Sequence, residues 1–449
     1  MSYLPYDVYS DRIKNARSIT HYGKVTQVVG LVIEAAGPAV PVGRLCAIEN
    51  RDDGSRIKAE VVGFRDDRIL LMPLGPIQGI TPGAIVTSTS EQLRIPVGPE
   101  LVGRVIGGLG QPIDNKAPLM TRSFRSINSD PIPALERRRI KQPLRTGIRA
   151  VDLTCAVGKG QRMGIFAGSG VGKSIMLGMM SRGTSADVNV VALVGERGRE
   201  VREFIESDLG QEGMAKTVVV AVTSDQPSLI RIKGALVATT IAEYFRDQGK
   251  DVLLMMDSLT RIAMAQREIG IAAGEPPTTK GYTPSVFALL PRILERAGQS
   301  QKGSITGLYT ILVEGDDFNE PISDAARSIL DGHVTLSRRL AARNQYPAVD
   351  VLDSISRLMK EVSTEDELIV AGKVREILSI YRENEDLINI GAYAKGSNAK
   401  IDDAISKIEP LENCFRQRIF ELADHQESLK QLKDIVGVDQ TQAVTDEEV

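Results

Sequence analysis

One octapeptide constrains this chain more than any other feature. Residues 167–174 read Ala167-Gly168-Ser169-Gly170-Val171-Gly172-Lys173-Ser174. They follow an apolar, strand-like run at 163–167 and open a helical pattern at 175–181. That context separates a phosphate-binding loop from a glycine-rich turn with an incidental lysine. Glycines let the backbone curl so that successive N–H groups point inward at phosphate oxygens. The helix start adds a positive partial charge. Lys173 is placed to set an ammonium beside the β- and γ-phosphates, and Ser174 to offer its hydroxyl to Mg2+. The sequence departs from G-x-x-x-x-G-K-[ST] only at its first position, where Ala167 stands, and a small residue serves there if its φ is negative. The expected ligands are ATP and Mg2+.

Such a loop needs a parallel sheet, and the stretch from about 150 to 345 supplies the pattern for one. Apolar strand candidates at 163–167, 188–195, 217–222, 252–257 and 305–313 alternate with helical patterns at 175–181, 200–208, 228–247 and 260–270. Near-continuous apolar strands alternating with helices predict an α/β core with a parallel sheet covered on both faces. Residues 24–92 instead carry short β-branched runs between turn signals such as Gly37-Pro38, Asp53-Gly54 and Pro82-Gly83, the spacing of a small β-barrel. Residues 96–148 read as an extended connection. From about 365 the patterns are helical, for example 365–382 and 413–433, and the acidic end at 440–449 reads as disordered. At the start, Tyr9, Ile13 and Ala16 fall at helical spacing beside Arg12, Lys14 and Arg17. That segment is either an amphipathic contact helix or a frayed terminus. The expected division is 1–22, an amphipathic segment; 23–92, a barrel; 93–360, an ATPase domain; and 361–449, a C-terminal helical domain with an acidic tail.

Two carboxylates suggest the rest of the chemistry. Leu253–Met256 lead into Asp257, at the C-terminal end of a buried strand expected beside the strand carrying the loop, where a second Mg2+ anchor belongs. An N-cap for the following helix is the simpler alternative. Glu196 ends another apolar strand and is placed either to polarise the attacking water or to pair with Arg199 in a helix first turn. Arg197 and Arg261 follow these strand ends and either balance phosphate charge or make surface ion pairs.

Charge and composition exclude several classes. A net charge of −3 gives no global positive field toward nucleic acid, and the local run Arg137, Arg138, Arg139, Lys141, Arg145, Arg149 reads as a solvated linker or ordinary ion pairs. Within 24–92 only Phe64 is aromatic, too little for a barrel that stacks bases. Cys46, Cys155 and Cys414 lie far apart, which fits buried free thiols rather than disulfides or a zinc site. No apolar run reaches the ~18 residues of a membrane span. The expected location is cytoplasmic.

Several long runs resemble a known family. They include "GKGQRMGIFAGSGVGKS" (158–174), "GERGREVREFIESDLG" (195–210), "REIGIAAGEPPTTKGYTPSVF" (267–287) and "SILDGHVTLSRRLAARNQYPAVDVLDSISR" (328–357). These are similar to the RecA-like ATPases that include the catalytic β subunit of rotary ATP synthases, and within them to the type III secretion ATPases. "VVGFRDDRILLMPLG" (61–75) resembles the flagellar export branch more than the injectisome branch. The resemblance covers about 24–433. It implies that Glu196 is the catalytic glutamate with Arg197 its neighbour, Asp257 the Walker B aspartate and Arg261 a motif arginine. It further implies that Arg357 reaches the γ-phosphate of a neighbouring subunit and that Tyr346 stacks on adenine. The implied function is an ATP hydrolase energising type III protein export. The implied assembly is a homohexamer docked peripherally at a membrane export gate. Its implied partners are a dimeric stator-like regulator at the N-terminus, a central coiled-coil stalk protein, and export substrates with their chaperones. No acidic segment matches the one by which the synthase β subunit contacts its rotor shaft. The presence of Glu196 argues against a non-catalytic, α-type subunit.

Overall fold

The computed structural model describes residues 21–50, 53–89, 92–313, 317 and 319–438. The N-terminal segment, read as an amphipathic contact helix or a frayed terminus, and the disordered end expected at 440–449 lie outside the described residues. Contacts divide the described residues into two units, one holding those up to 93 with 268–276 and the other holding the rest.

The first unit is a closed six-stranded barrel. Its strands are β1 (Tyr22–Val29), β2 (Val32–Ala36), β3 (Leu45–Glu49), β4 (Arg56–Arg65), β5 (Arg68–Pro73) and β6 (Ile85–Ser88), closed in the order β1-β2-β5-β4-β3-β6. Alternate residues such as Val25, Ile33, Ile48, Val61, Leu71 and Val86 fill the interior, so no strand edge is left unpaired. The run 61–75 becomes the β4–β5 hairpin, turned by Asp66-Asp67 with Asp66 at φ 50°. Asp tolerates this left-handed position, and the turn's twist suits a two-residue hairpin. Beside it Glu34 is buried and accepts hydrogen bonds from Arg65, Arg68 and Gln27.

The second unit is built on a nine-stranded, mostly parallel sheet. Its main strands are β7 (Val105–Gly107), β8 (Arg162–Ala167), β9 (Val188–Glu196), β10 (Thr217–Thr223), β11 (Asp251–Asp257), β12 (Ser304–Leu312), β13 (Gly332–Leu336) and β14 (Val349–Ser356). The order across the sheet is β14-β13-β8-β12-β11-β9-β10-β7. Helices include α1 (Arg149–Thr154), α2 (Lys173–Gly183), α3 (Gly198–Glu203), α4 (Ser228–Asp247), α5 (Leu259–Ala273, of which residues from 268 on are grouped with the first unit) and α6 (Arg338–Ala342). The stretch 96–148 is a connection only in part, because Val105–Gly107 pair in parallel with residues 219–221 as an edge strand. A three-residue strand is too short for periodicity to distinguish from loop.

Three further helices, α7 (Glu365–Asn389), α8 (Ala399–Phe415) and α9 (His425–Val436), complete this unit. Thr364 and Glu367 form a reciprocal capping box at the start of α7. The helix expected at 413–433 is broken at 416–424. The Arg149 guanidinium, from α1, donates to the Cys414 carbonyl at 2.5 Å and so occupies an acceptor at the end of α8. Asp424 then caps a new helix by accepting from Glu427 N at 2.8 Å. Val370, Val374, Leu411, Phe415, Leu432 and Val436 share one buried cluster with strand residues Met163, Ile165 and Leu253. Cys46, Cys155 and Cys414 are buried free thiols, and burial pushes Cys155 up to about 12. Among the described residues no helix is long and apolar enough to cross a membrane.

Candidate active site

Strand β8 ends at the buried Ala167, at the C-terminal ends of the parallel strands, and the chain then curls through Gly170 (φ 79°) and Gly172 (φ 85°). Only glycine adopts such values without strain. Helix α2 starts at Lys173, so its unpaired first N–H groups face the hollow of the loop.

Asp257 ends β11 at 3% exposure. Its Oδ1 accepts hydrogen bonds from Lys173 Nζ at 2.5 Å and from Thr310 Oγ1 at 2.7 Å. The strand of Asp257 is not beside the loop-bearing strand, as the sequence suggested. β12 lies between β8 and β11, and the long Lys173 side chain spans the gap. Parallel order is set by crossover connections, which leave no local signal in the sequence. Thr310 belongs to the intervening strand. Its position at 305–313 was legible, but nothing in the sequence aimed it at an aspartate.

Glu196 ends β9, the neighbour of β11, and its carboxylate lies 3.9 Å from Lys173 Nζ. Its Oε1 is buried and no hydrogen bond reaches it. Burial first, and then the Asp257 charge, push the Glu196 carboxyl up to about 7, against the pull of Lys173. Glu200, in α3, moves the other way. Against a burial cost, its hydrogen bond with the Glu196 carboxyl and the Arg197 charge hold it below the ordinary carboxylate range. Arg197 itself is exposed, 3.5 Å from Glu200. Arg261 passes close to Gly195 and enters the site, with its Nε buried and reached by no hydrogen bond.

The loop, Glu196, Arg197, Arg261, Arg338 and Tyr346 line a cavity of about 680 Å³. An apolar slot of about 240 Å³ lies between Tyr346 and Ile175, Met176, Met179 and Ile419. A polar hollow beside an apolar slot suits a charged chain with a flat ring at its end. Arg338 was not singled out in the sequence. The signal that finds it is register: Ala167 pairs with Leu336, so the residues just past each strand end meet. The orphaned Glu196 and Arg261 atoms suit a ligand with donors and acceptors. Ser174 and Asp257 supply only oxygen donors, the set a hard Mg2+ ion takes.

Arg357 is not in this cavity. It is exposed and follows β14, and its N–H donates to Asp331 O at 3.0 Å, while Asp331 N donates to Arg162 O at 2.8 Å. Arg162 starts the strand whose end bears the loop. At ~3.3 Å per residue, the strand's length puts Arg357 roughly 15–20 Å from its own phosphate loop.

A loop-bearing parallel sheet with an aspartate and a glutamate at neighbouring strand ends defines a RecA-like P-loop nucleotide-binding protein. Three family models match: the ATP synthase alpha/beta family beta-barrel domain over residues 25–90, its nucleotide-binding domain over 147–356, and the T3SS EscN ATPase C-terminal domain over 363–434. The chain belongs to the ATP synthase alpha/beta family, within the group of flagellum-specific and type III secretion ATPases. It is 54% identical over 430 residues to the flagellum-specific ATP synthase of Bacillus subtilis, covering 95% of this chain and 98% of that one. Against the type 3 secretion system ATPase of Xanthomonas euvesicatoria the figure is 50% over 414 residues, covering 92% and 94%. The assembled ATPase EscN of the enteropathogenic E. coli type III secretion system superposes with a TM-score of 0.87 at 43% identity, covering 92% of this chain and 100% of EscN. EscN in complex with its central stalk EscO superposes with a TM-score of 0.85.

Proposed function

We propose that this chain is the ATP hydrolase that energises type III protein export in the flagellar branch, working as a homohexameric ring. The observation that carries the reading is the convergence of Asp257 and Glu196 on Lys173, which with Glu196 lines the cavity at the loop. In this reading the loop amides, Lys173 and Arg261 offset triphosphate charge, and Tyr346 stacks on adenine at the apolar slot. Glu196, once ionised, orients water and accepts its proton. Ser174 and Asp257 would hold Mg2+, which when bound neutralises charge on the phosphate oxygens. Arg197 sits at the rim, where it balances charge. Arg357 completes the site of the next subunit. We further propose the division 1–22, 23–92, 93–360 and 361–449 as contact segment, barrel, ATPase domain and C-terminal helical domain.

The partners follow from the same reading. A central coiled-coil stalk is supported by the EscN–EscO complex. A dimeric regulator at the N-terminus, and a membrane export gate with substrates and chaperones at the C-terminal helices, complete the proposal, with the ring cytoplasmic and peripherally docked. No nucleic acid is needed.

Lys173→Ala should abolish binding of a fluorescent ATP analogue. Glu196→Gln should bind it while losing nearly all phosphate release. Turnover retained by Glu196→Gln would refute the assignment of the base. The 50% identity to the Xanthomonas protein supports an injectisome ATPase as the second reading. Restored swimming in a strain lacking its flagellar ATPase favours the first, and restored effector secretion alone the second.

A further inference from the structure

Arg338 touches the phosphate loop and has no part in the reading above. A Cβ built on Gly168 would stand 2.7 Å from Arg338 Nε and 2.9 Å from its Nη2, so a side chain there requires the guanidinium to move off the loop. Gly168 is not in the left-handed region, so its backbone alone does not demand glycine. What a side chain there would displace is the guanidinium. At the other end of the loop, a Cβ on Gly172 would stand 3.2 Å from the Tyr346 ring. Arg338 and Tyr346 therefore press on the first and last turns of the loop from a single stretch of chain, 338–346.

That stretch is firmly mounted. Ser337 N donates to Ala348 O, and Gln417 N donates to Tyr346 O, both at 2.9 Å. Arg339 and Arg343 both pair with the buried Glu385 of α7. The mount fixes where Arg338 begins, and the β8–β13 register brings it beside Gly168. A planar cation fixed at the rim of a phosphate cradle both shapes the loop and attracts the anion.

We propose that Arg338 is a positioning residue that holds the phosphate loop in its binding shape and sets affinity for the triphosphate moiety, a contribution separable from that of Tyr346 on the same stretch. The inference rests on the reading of this cavity as an ATP site. The test is displacement of a fluorescent ATP analogue by inorganic tripolyphosphate and by ATP, on the full chain. Arg338→Ala should weaken both competitors by about tenfold, the scale of one charge-assisted contact, and raise KM more than it lowers kcat. Tyr346→Ala should weaken ATP and spare tripolyphosphate. Gly168→Ala should harm binding in the wild-type background and add little in Arg338→Ala, because the clash partner is gone. Unchanged tripolyphosphate affinity in Arg338→Ala, or equal harm from Gly168→Ala in both backgrounds, overturns the proposal. If Arg338→Ala does not fold, Arg338→Lys against Arg338→Gln decides. Near-normal binding by the lysine variant alone supports the role, and equality of the two overturns it. Lys173→Ala separates the levels: if it binds normally, the ATP-site reading itself fails.

Discussion

In the role of base proposed for it, Glu196 is under two demands that oppose each other. Burial and the Asp257 charge favour its protonated form, with the carboxyl pushed up to about 7, whereas a base must be ionised. The folded-state value lies above the unfolded one, so the protonated form adds stability that is fully present at pH 4 and is lost as pH rises through 7. Glutamine cannot ionise and is spared that loss. The melting temperature of Glu196→Gln should therefore exceed that of the wild type increasingly between pH 5 and 8, measured without nucleotide. A difference that does not change with pH would sink this account. In turnover, kcat/KM should rise about tenfold per pH unit below 7 and flatten above it, since one ionisation of the free enzyme governs the rise. The sequence showed this carboxylate at a strand end and left its job open. Spacing cannot say how deeply the carboxyl is buried or which charges lie across the sheet, and burial first, then Asp257 against Lys173, sets its protonation.

Elements were more legible than their order. The loop, the five main strand candidates and the barrel pattern all lie in local residues, where apolar period and turn chemistry are written directly. The insertion of β12 between β8 and β11 was not, nor the break between α8 and α9, because each depends on partners more than 50 residues away: Thr310 for Asp257, Arg149 for Cys414. The same holds for Arg296, to which the sequence assigned no role. Its guanidinium is buried and donates to both carboxylate oxygens of Glu243 in α4, to Ile127 O and to Thr240 Oγ1. It thus ties a helix, the approach to β12 and the connection from the barrel to one point. Removing one member of a buried pair leaves the other charge unpaired, at about 3–5 kcal/mol, whereas replacing both with apolar groups is often nearly neutral. Glu243→Ala should lower the urea midpoint sharply, and Glu243→Leu with Arg296→Met should recover most of it. Equal losses in the single and double variants would show that the pair acts only through packing volume.

At the scale of the whole molecule, the position of Arg357 is the fact to explain. An exposed arginine at the far end of the sheet from its own loop cannot serve that loop. It can serve a neighbour's if subunits meet head to tail, the heterologous contact that closes into a ring. Such an interface assigns the loop to one subunit and the arginine to the next. Lys173→Ala and Arg357→Ala should each be inactive alone, the first for want of nucleotide, the second because it offers no arginine to its neighbour. Mixed, they should regain activity. Where an Arg357→Ala subunit supplies the loop and a Lys173→Ala subunit supplies the arginine, the site is whole, and random mixing makes roughly a quarter of interfaces so. A supplied arginine of this kind is worth ~10³–10⁵ in rate, so even that fraction stands far above either parent. The recovery must also fall on dilution, as association is lost. A mixture no more active than the sum of its parts would mean that Arg357 works within its own subunit or not at all, and that the site is not shared.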